Sequence, residues 1–191
     1  IRHDLRTPVN HILGYSEMLI EDAEDLGRGE LIGDLKKINE AGHRLLGSIT
    51  ERVGKNKVVR SADLEDLLAE ARVPIDHIMG YSQMLREQVA IQGDTQWESD
   101  LSKINRAAQT WFNLAEKALL PSDAIVSPHS LKGVFTQTTE TGTEIDTSFI
   151  EEKLGGEEHW SGRVLIVDVD PNNRDILSRR LARYGHDIHT A

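Results

Sequence analysis

Near its start the chain places an imidazole, a carboxylate, a guanidinium and a hydroxyl within five positions: His3, Asp4, Arg6 and Thr7, closed by Pro8. Histidine is the side chain that can be a neutral nucleophile near pH 7. One ring nitrogen can attack a phosphoryl group while the other holds or releases a proton. A carboxylate at the next position, Asp4, can orient the ring and take that proton. Thr7 lies one turn beyond His3 on the same face of a helix. Pro8 has no amide to bond back to Asp4, so a helix is expected to bend there.

These groups need a scaffold, and an internal repeat provides it. Pro8 to Leu19 (PVNHILGYSEML) matches Pro74 to Leu85 (PIDHIMGYSQML), and Asp34 to Ala41 (DLKKINEA) matches Asp100 to Ala107 (DLSKINRA). Both offsets are 66, so the two blocks share one ungapped register and mark a duplication. In the first copy Leu5, Val9, Ile12, Ser16 and Leu19, then Leu31, Leu35, Ile38, Gly42, Leu45 and Ile49, are spaced by alternating threes and fours. That is the seam of packed helices. The second copy repeats it at Ile75, Ile78, Ser82 and Leu85, then Leu101, Ile104, Ala108 and Trp111. Between the seams, Glu24 to Gly29 and Gln92 to Thr95 each carry a glycine suited to leaving a helix. Each copy therefore reads as a helical hairpin, and two hairpins can close a four-helix bundle within one chain or across a homodimer. The connection Gly54 to Ser61 is long enough for the intramolecular version, which is the expected one. Leu5 and Val9 face the seam, so His3 is expected on the outer surface.

The stretch HDLRTPVNHILGYSEML resembles the H-box helix of bacterial histidine kinases, the dimerisation and phosphoacceptor domain. The resemblance implies two-component signalling, with His3 as phosphoacceptor, Asp4 as base and Thr7 as the residue that positions water to hydrolyse a phosphohistidine or a partner's phosphoaspartate. The partners it implies are a receiver domain or response regulator, and a separate histidine kinase or ATP-binding domain as donor. The second copy departs from the pattern: Ala69, Glu70 and Val73 replace His3, Asp4 and Thr7. Alanine cannot accept a phosphoryl group, so that hairpin is expected to complete the bundle without chemistry. His11 and His77 occupy equivalent positions and are expected to pack or face solvent, and Asn10 and Asp76 are expected to be solvated. Asp25-Leu26-Gly27-Arg28-Gly29 fits the Asp-x-Gly-x-Gly loop of the kinases' ATP-binding half but falls in a hairpin turn, with no sheet to build a nucleotide pocket. ATP is therefore expected to act only through another domain.

Residues 162–191 change character. Val164 to Val167 (VLIV) reads as a short buried strand, Pro171 as the first residue of a helix, and Gly185 as its exit. Ile176, Leu177, Leu181 and Tyr184 mark the expected apolar face, and HDIHT starts a second strand. The segment resembles the opening of a receiver domain, which implies an acidic pair after the first strand that binds Mg²⁺. Asp168 matches the first acid; Val169 stands in place of the second, and strand alternation puts Asp170 out of register. Such a short piece is too small to fold as a doubly wound domain alone and is expected to be poorly ordered. Residues 121–161, rich in Ser, Thr and Gly, read as a linker in which Phe135, Phe149 and Trp160 could dock on the helices.

Composition narrows the classes. A net charge of −10 disfavours nucleic acid and anionic membranes as partners. The absence of cysteine excludes disulfides, thiolate metal sites and cysteine nucleophiles. The longest apolar run is Val164 to Val167, far short of the about 20 residues of a membrane span, which points to a cytoplasmic protein. Starting at Ile1 in a helical pattern, the chain reads as a fragment. The expected fold is mainly α: tandem antiparallel hairpins in a four-helix bundle (1–53 with the H-box, 54–120 degenerate), a linker (121–161) and a truncated α/β receiver-like piece (162–191). The competing functional reading is a non-catalytic dimerisation or transmission bundle that couples an input to a downstream output.

Overall fold

The computed structural model describes residues 1–54, 59–119 and 162–191. The linker 121–161, with Phe135, Phe149 and Trp160, lies outside these residues, as do Lys55 and Lys57 of the inter-hairpin connection. Four long helices come first: α1 (Arg2–Asp25), α2 (Gly29–Arg52), α3 (Ser61–Ile91) and α4 (Thr95–Leu119). They are followed by β1 (Arg163–Ile166), α5 (Pro171–Arg183) and β2 (Asp187–Thr190). The described chain is thus mainly helical, with one small parallel sheet.

Each long helix packs on two others: α1 on α2 and α4, and α3 on α2 and α4. The seam residues fill the space they enclose. Leu5, Val9, Ile12, Leu19, Leu35, Ile38, Leu45, Ile78, Leu101, Ile104 and Trp111 are all fully buried in one cluster. Each such side chain removed from water stabilises the fold by about 1.5–3 kcal/mol before entropy is counted. Burial in α3 starts further upstream than the sequence seam, at Leu64, Leu67 and Ala71. Pro8 and Pro74 both sit inside continuous helices. The exits follow the glycines: Gly27 and Gly93 hold φ of +67° and +73°, a region where a side chain would be strained.

The duplication is visible in side-chain detail. Asn39 donates to the Ser16 hydroxyl at 3.0 Å, and Asn105 donates to Ser82 at 3.2 Å. Lys37 lies 4.7 Å from the Tyr81 ring centroid, and Lys103 lies 4.8 Å from that of Tyr15. Each pair is separated from its counterpart by the repeat offset, so the groove between α1 and α4 corresponds to the groove between α3 and α2.

Strands β1 and β2 pair in parallel, Val164 with Ile188 and Leu165 with His189. Asp170 caps α5 by accepting the Asn172 N–H at 2.8 Å, Pro171 follows as its first residue, and Gly185 leaves with φ +81°. The apolar face assigned to α5 from sequence is narrower in the structure. Ile176 is buried, but Leu177 and Tyr184 are exposed, because two strands are too few to cover a full helix face. The piece expected to be unable to fold alone does not stand alone: α5 packs against α1.

Candidate functional site

Helix α1 presents the sequence-predicted residues along one side. His3 is exposed in its first turn, with Leu5 and Val9 buried beneath. Thr7 donates its hydroxyl to the His3 carbonyl at 3.2 Å, which ties the two positions together through the backbone. The Asp4 carboxylate sits 3.2 Å from the Ile1 amino group; among the described residues it does not bond the His3 ring. At the equivalent place on α3, Val73 is 57% exposed and Glu70 pairs with Arg52.

Asp4 and Thr7 open onto a cavity of about 660 Å³. Pro8, His11 and Tyr15 continue its α1 wall, Lys103 and Arg106 come from α4, and Asp170 and Asn172 close it at the start of α5. The site thus combines the Asp4 carboxylate and the Thr7 hydroxyl with two cations from the second repeat and the N-terminal turn of α5. His11 and His77, equivalent in sequence, part company here. His77 is exposed, whereas buried His11 brings Nε2 to 3.1 Å from Asp170 Oδ2. That approach is a charge contact without hydrogen-bond alignment, and it is an ion pair when the ring is protonated. Asn10 and Asp76 face solvent.

Next to the cavity, Asp175 accepts from the Tyr15 hydroxyl at 2.8 Å and from Lys103 at 2.7 Å. Burial, and then the hydrogen bond to Asp175, push the Tyr15 phenol far above its ordinary value. For Asp175 burial works upward, but the bonds from Lys103 and Tyr15 outweigh it and hold the carboxyl below its ordinary value. Sequence reasoning missed Tyr15, Lys103 and Asp175. One available signal was complementary charge: Arg179, Arg180 and Arg183 on α5 meet Glu17, Glu21, Asp22 and Asp100.

Asp168 and Asp170 lie beyond β1 in a turn, so strand alternation does not govern them. Asp168 accepts the Asp170 N–H at 2.7 Å and the Asn173 amide at 3.1 Å, and these bonds hold its carboxyl below the ordinary range. Asp170 serves the α5 cap and His11, and Val169 is 99% exposed and apolar. Mg²⁺ requires several oxygen ligands in octahedral order. Among the described residues no group of three or more His, Asp or Glu side chains gathers as a metal site. No helix among the described residues is long and apolar enough to cross a membrane.

No family model matches the chain, and no solved structure matches it. The curated proteins it is similar to are histidine kinases. It is 24% identical over 171 residues to the cell-division control histidine kinase PdhS of Brucella anthropi. It is 25% identical over 169 residues to the proteins of that name from Brucella suis and Brucella abortus. Each alignment covers 81% of this chain but only 16% of the relative's length. The similarity supports a histidine-kinase family relationship.

Proposed function

We propose that the chain is a phosphoacceptor module of two-component signalling, in which His3 receives a phosphoryl group and passes it to an aspartate. In this reading the four helices are an intramolecular four-helix bundle, the second hairpin replaces a partner subunit, and residues 162–191 are the start of a receiver domain. The observation that carries it is the placement of His3: exposed on a helix whose next residues, Asp4 and Thr7, open onto a cavity faced by Lys103 and Arg106.

The chemistry follows from those groups. A neutral His3 nitrogen attacks the terminal phosphorus of ATP held on a separate kinase domain. An N–P bond forms, the P–O bond to ADP breaks, and the ring's other proton is lost to Asp4 or water. An aspartate of a receiver then attacks the phosphorus, the N–P bond breaks, and the ring is reprotonated. Thr7, one turn from His3, positions water for hydrolysis of the phosphorylated partner in this reading. A homodimer remains compatible with the same chemistry, and a response regulator is the partner the similarity points to.

A second reading, a transmission bundle without phosphoryl chemistry, draws on Ala69 at the position equivalent to His3 and on Val169 in place of an acid. Labelling separates the two. With radiolabelled ATP and a donor kinase, the first reading expects an acid-labile, base-stable label on the chain that His3→Gln abolishes. An unlabelled chain, under conditions where the donor labels its own substrate, supports the transmission reading instead.

A further inference from the structure

The two pseudo-equivalent grooves have different fates. Over α1 and α4 lies α5: Ile176 packs on Gly14 so closely that a Cβ there would stand 2.8 Å from its Cδ1. Gly80, the α3 counterpart of Gly14, has nothing within 4 Å of that position. Met18 is 1% exposed and its counterpart Met84 is 45% exposed. Yet the chemistry at the groove centres is the same: Lys37, Asp34 and Tyr81 repeat Lys103, Asp100 and Tyr15, including the cation over the ring. The tether does not choose between them either. Residues 120–162 can span more than about 100 Å when extended, several times a small domain's width.

What differs is the charge facing the arginines of α5. On α1, Glu17 pairs with Arg180 at 2.5 Å, Glu21 with Arg183 at 2.7 Å, and Asp22 with Arg183 and Arg179. At the matching α3 positions stand Gln83, Glu87 and Gln88. Glu87 already accepts from Gln83 at 2.7 Å. Arg86 replaces Ile20, one turn from Gln83, and adds a like charge where α5 would bring three more. Removing complementary charges and adding a repulsive one is how an interface discriminates between otherwise similar sites.

We propose that these substitutions assign the C-terminal β-α-β unit to the α1–α4 groove and exclude it from the α2–α3 groove, so that one chain docks one such unit on one side only. Glu17 and Asp22 are the selecting residues, and Gln83, Arg86 and Gln88 the excluding ones, whereas Glu21 has an acid, Glu87, at its matching position. The proposal stands on the docking contacts and is independent of any phosphate at His3.

Zero-length carbodiimide cross-linking of the full native chain tests it, because the reagent joins a lysine to a touching carboxylate. In the monomer band the expected product joins Lys103 to Asp175, in excess of a Lys37–Asp175 product by on the order of tenfold or more. The charge swap Glu17→Gln, Ile20→Arg, Asp22→Gln with Gln83→Glu, Arg86→Ile, Gln88→Asp should move the link to Lys37. The half-swap confined to Gln83→Glu, Arg86→Ile and Gln88→Asp leaves α1 untouched and should produce both links. Equal links in the native chain overturn the proposal. So does a half-swap that folds, by its helical circular dichroism, and still links Lys103 alone.

Discussion

Gly14→Ala isolates the docking contact, because Gly80→Ala makes the same chemical change where nothing lies overhead. In a helix interior, glycine to alanine stabilises by about 1 kcal/mol, and this gain is present whether α5 is docked or not. Only the docked state feels the new methyl. It would stand 2.8 Å from Ile176 Cδ1 and 3.2 Å from Cγ2, well inside the about 3.5–4.0 Å of an ordinary carbon contact. Ile176 is 7% exposed, and its side chain must shift for the methyl to fit. Overpacking of this kind costs about 1–3 kcal/mol. At about 1.4 kcal/mol per factor of ten, the docked population should fall by roughly 5- to 150-fold. Amide hydrogen exchange across 163–190 reads this directly: Gly14→Ala should accelerate exchange in α5 and β1, and Gly80→Ala should leave it unchanged. Urea denaturation should show the long helices stabilised by about 1 kcal/mol in Gly80→Ala. Unchanged α5 exchange in Gly14→Ala would mean instead that the methyl is accommodated without loss of the contact, so that Ile176 over Gly14 does not hold α5 in place.

Further outcomes follow from the same contacts. Asp175 is held below its ordinary value, so its contribution to docking is complete above about pH 4 and is lost as pH falls through the depressed value; α5 exchange followed from pH 6 to pH 2 should rise only at the acid end, and Asp175→Asn should remove that transition. Lys103→Met should release α5 while Lys37→Met should not, since both lysines cover a tyrosine ring but only Lys103 reaches Asp175; the same exchange measurement distinguishes them. Raising salt should weaken docking, because the arginine pairs on Glu17, Glu21 and Asp22 are only partly buried. Trp111→Ala should cost about 3–5 kcal/mol of global stability in thermal or urea unfolding, as the indole is fully buried in the central cluster.

The helices were legible because their information is local. Leu5, Ile12 and Leu19 recur on one face, Gly27 and Gly93 sit where a left-handed exit is needed, and Pro171 and Gly185 bracket α5. Inference from α1 also placed His3 outside, since Leu5 and Val9 fix the helix's rotation. What covers a face is not local, and there the sequence fell short. The repeat makes His11 and His77 equivalent, but only His11 has Asp170 beside it. Strand alternation does not reach Asp170, because β1 ends at Ile166 and the acid caps a helix.

Phosphoryl transfer through His3 is tested by locating phosphorus on the intact chain. After phosphorylation by a donor kinase and handling at neutral to basic pH, fragmentation mass spectrometry that preserves phosphoramidates should place the group on His3 alone among the eight histidines. A phosphoryl group on His11 or another histidine, or none on a chain whose donor is active, contradicts it.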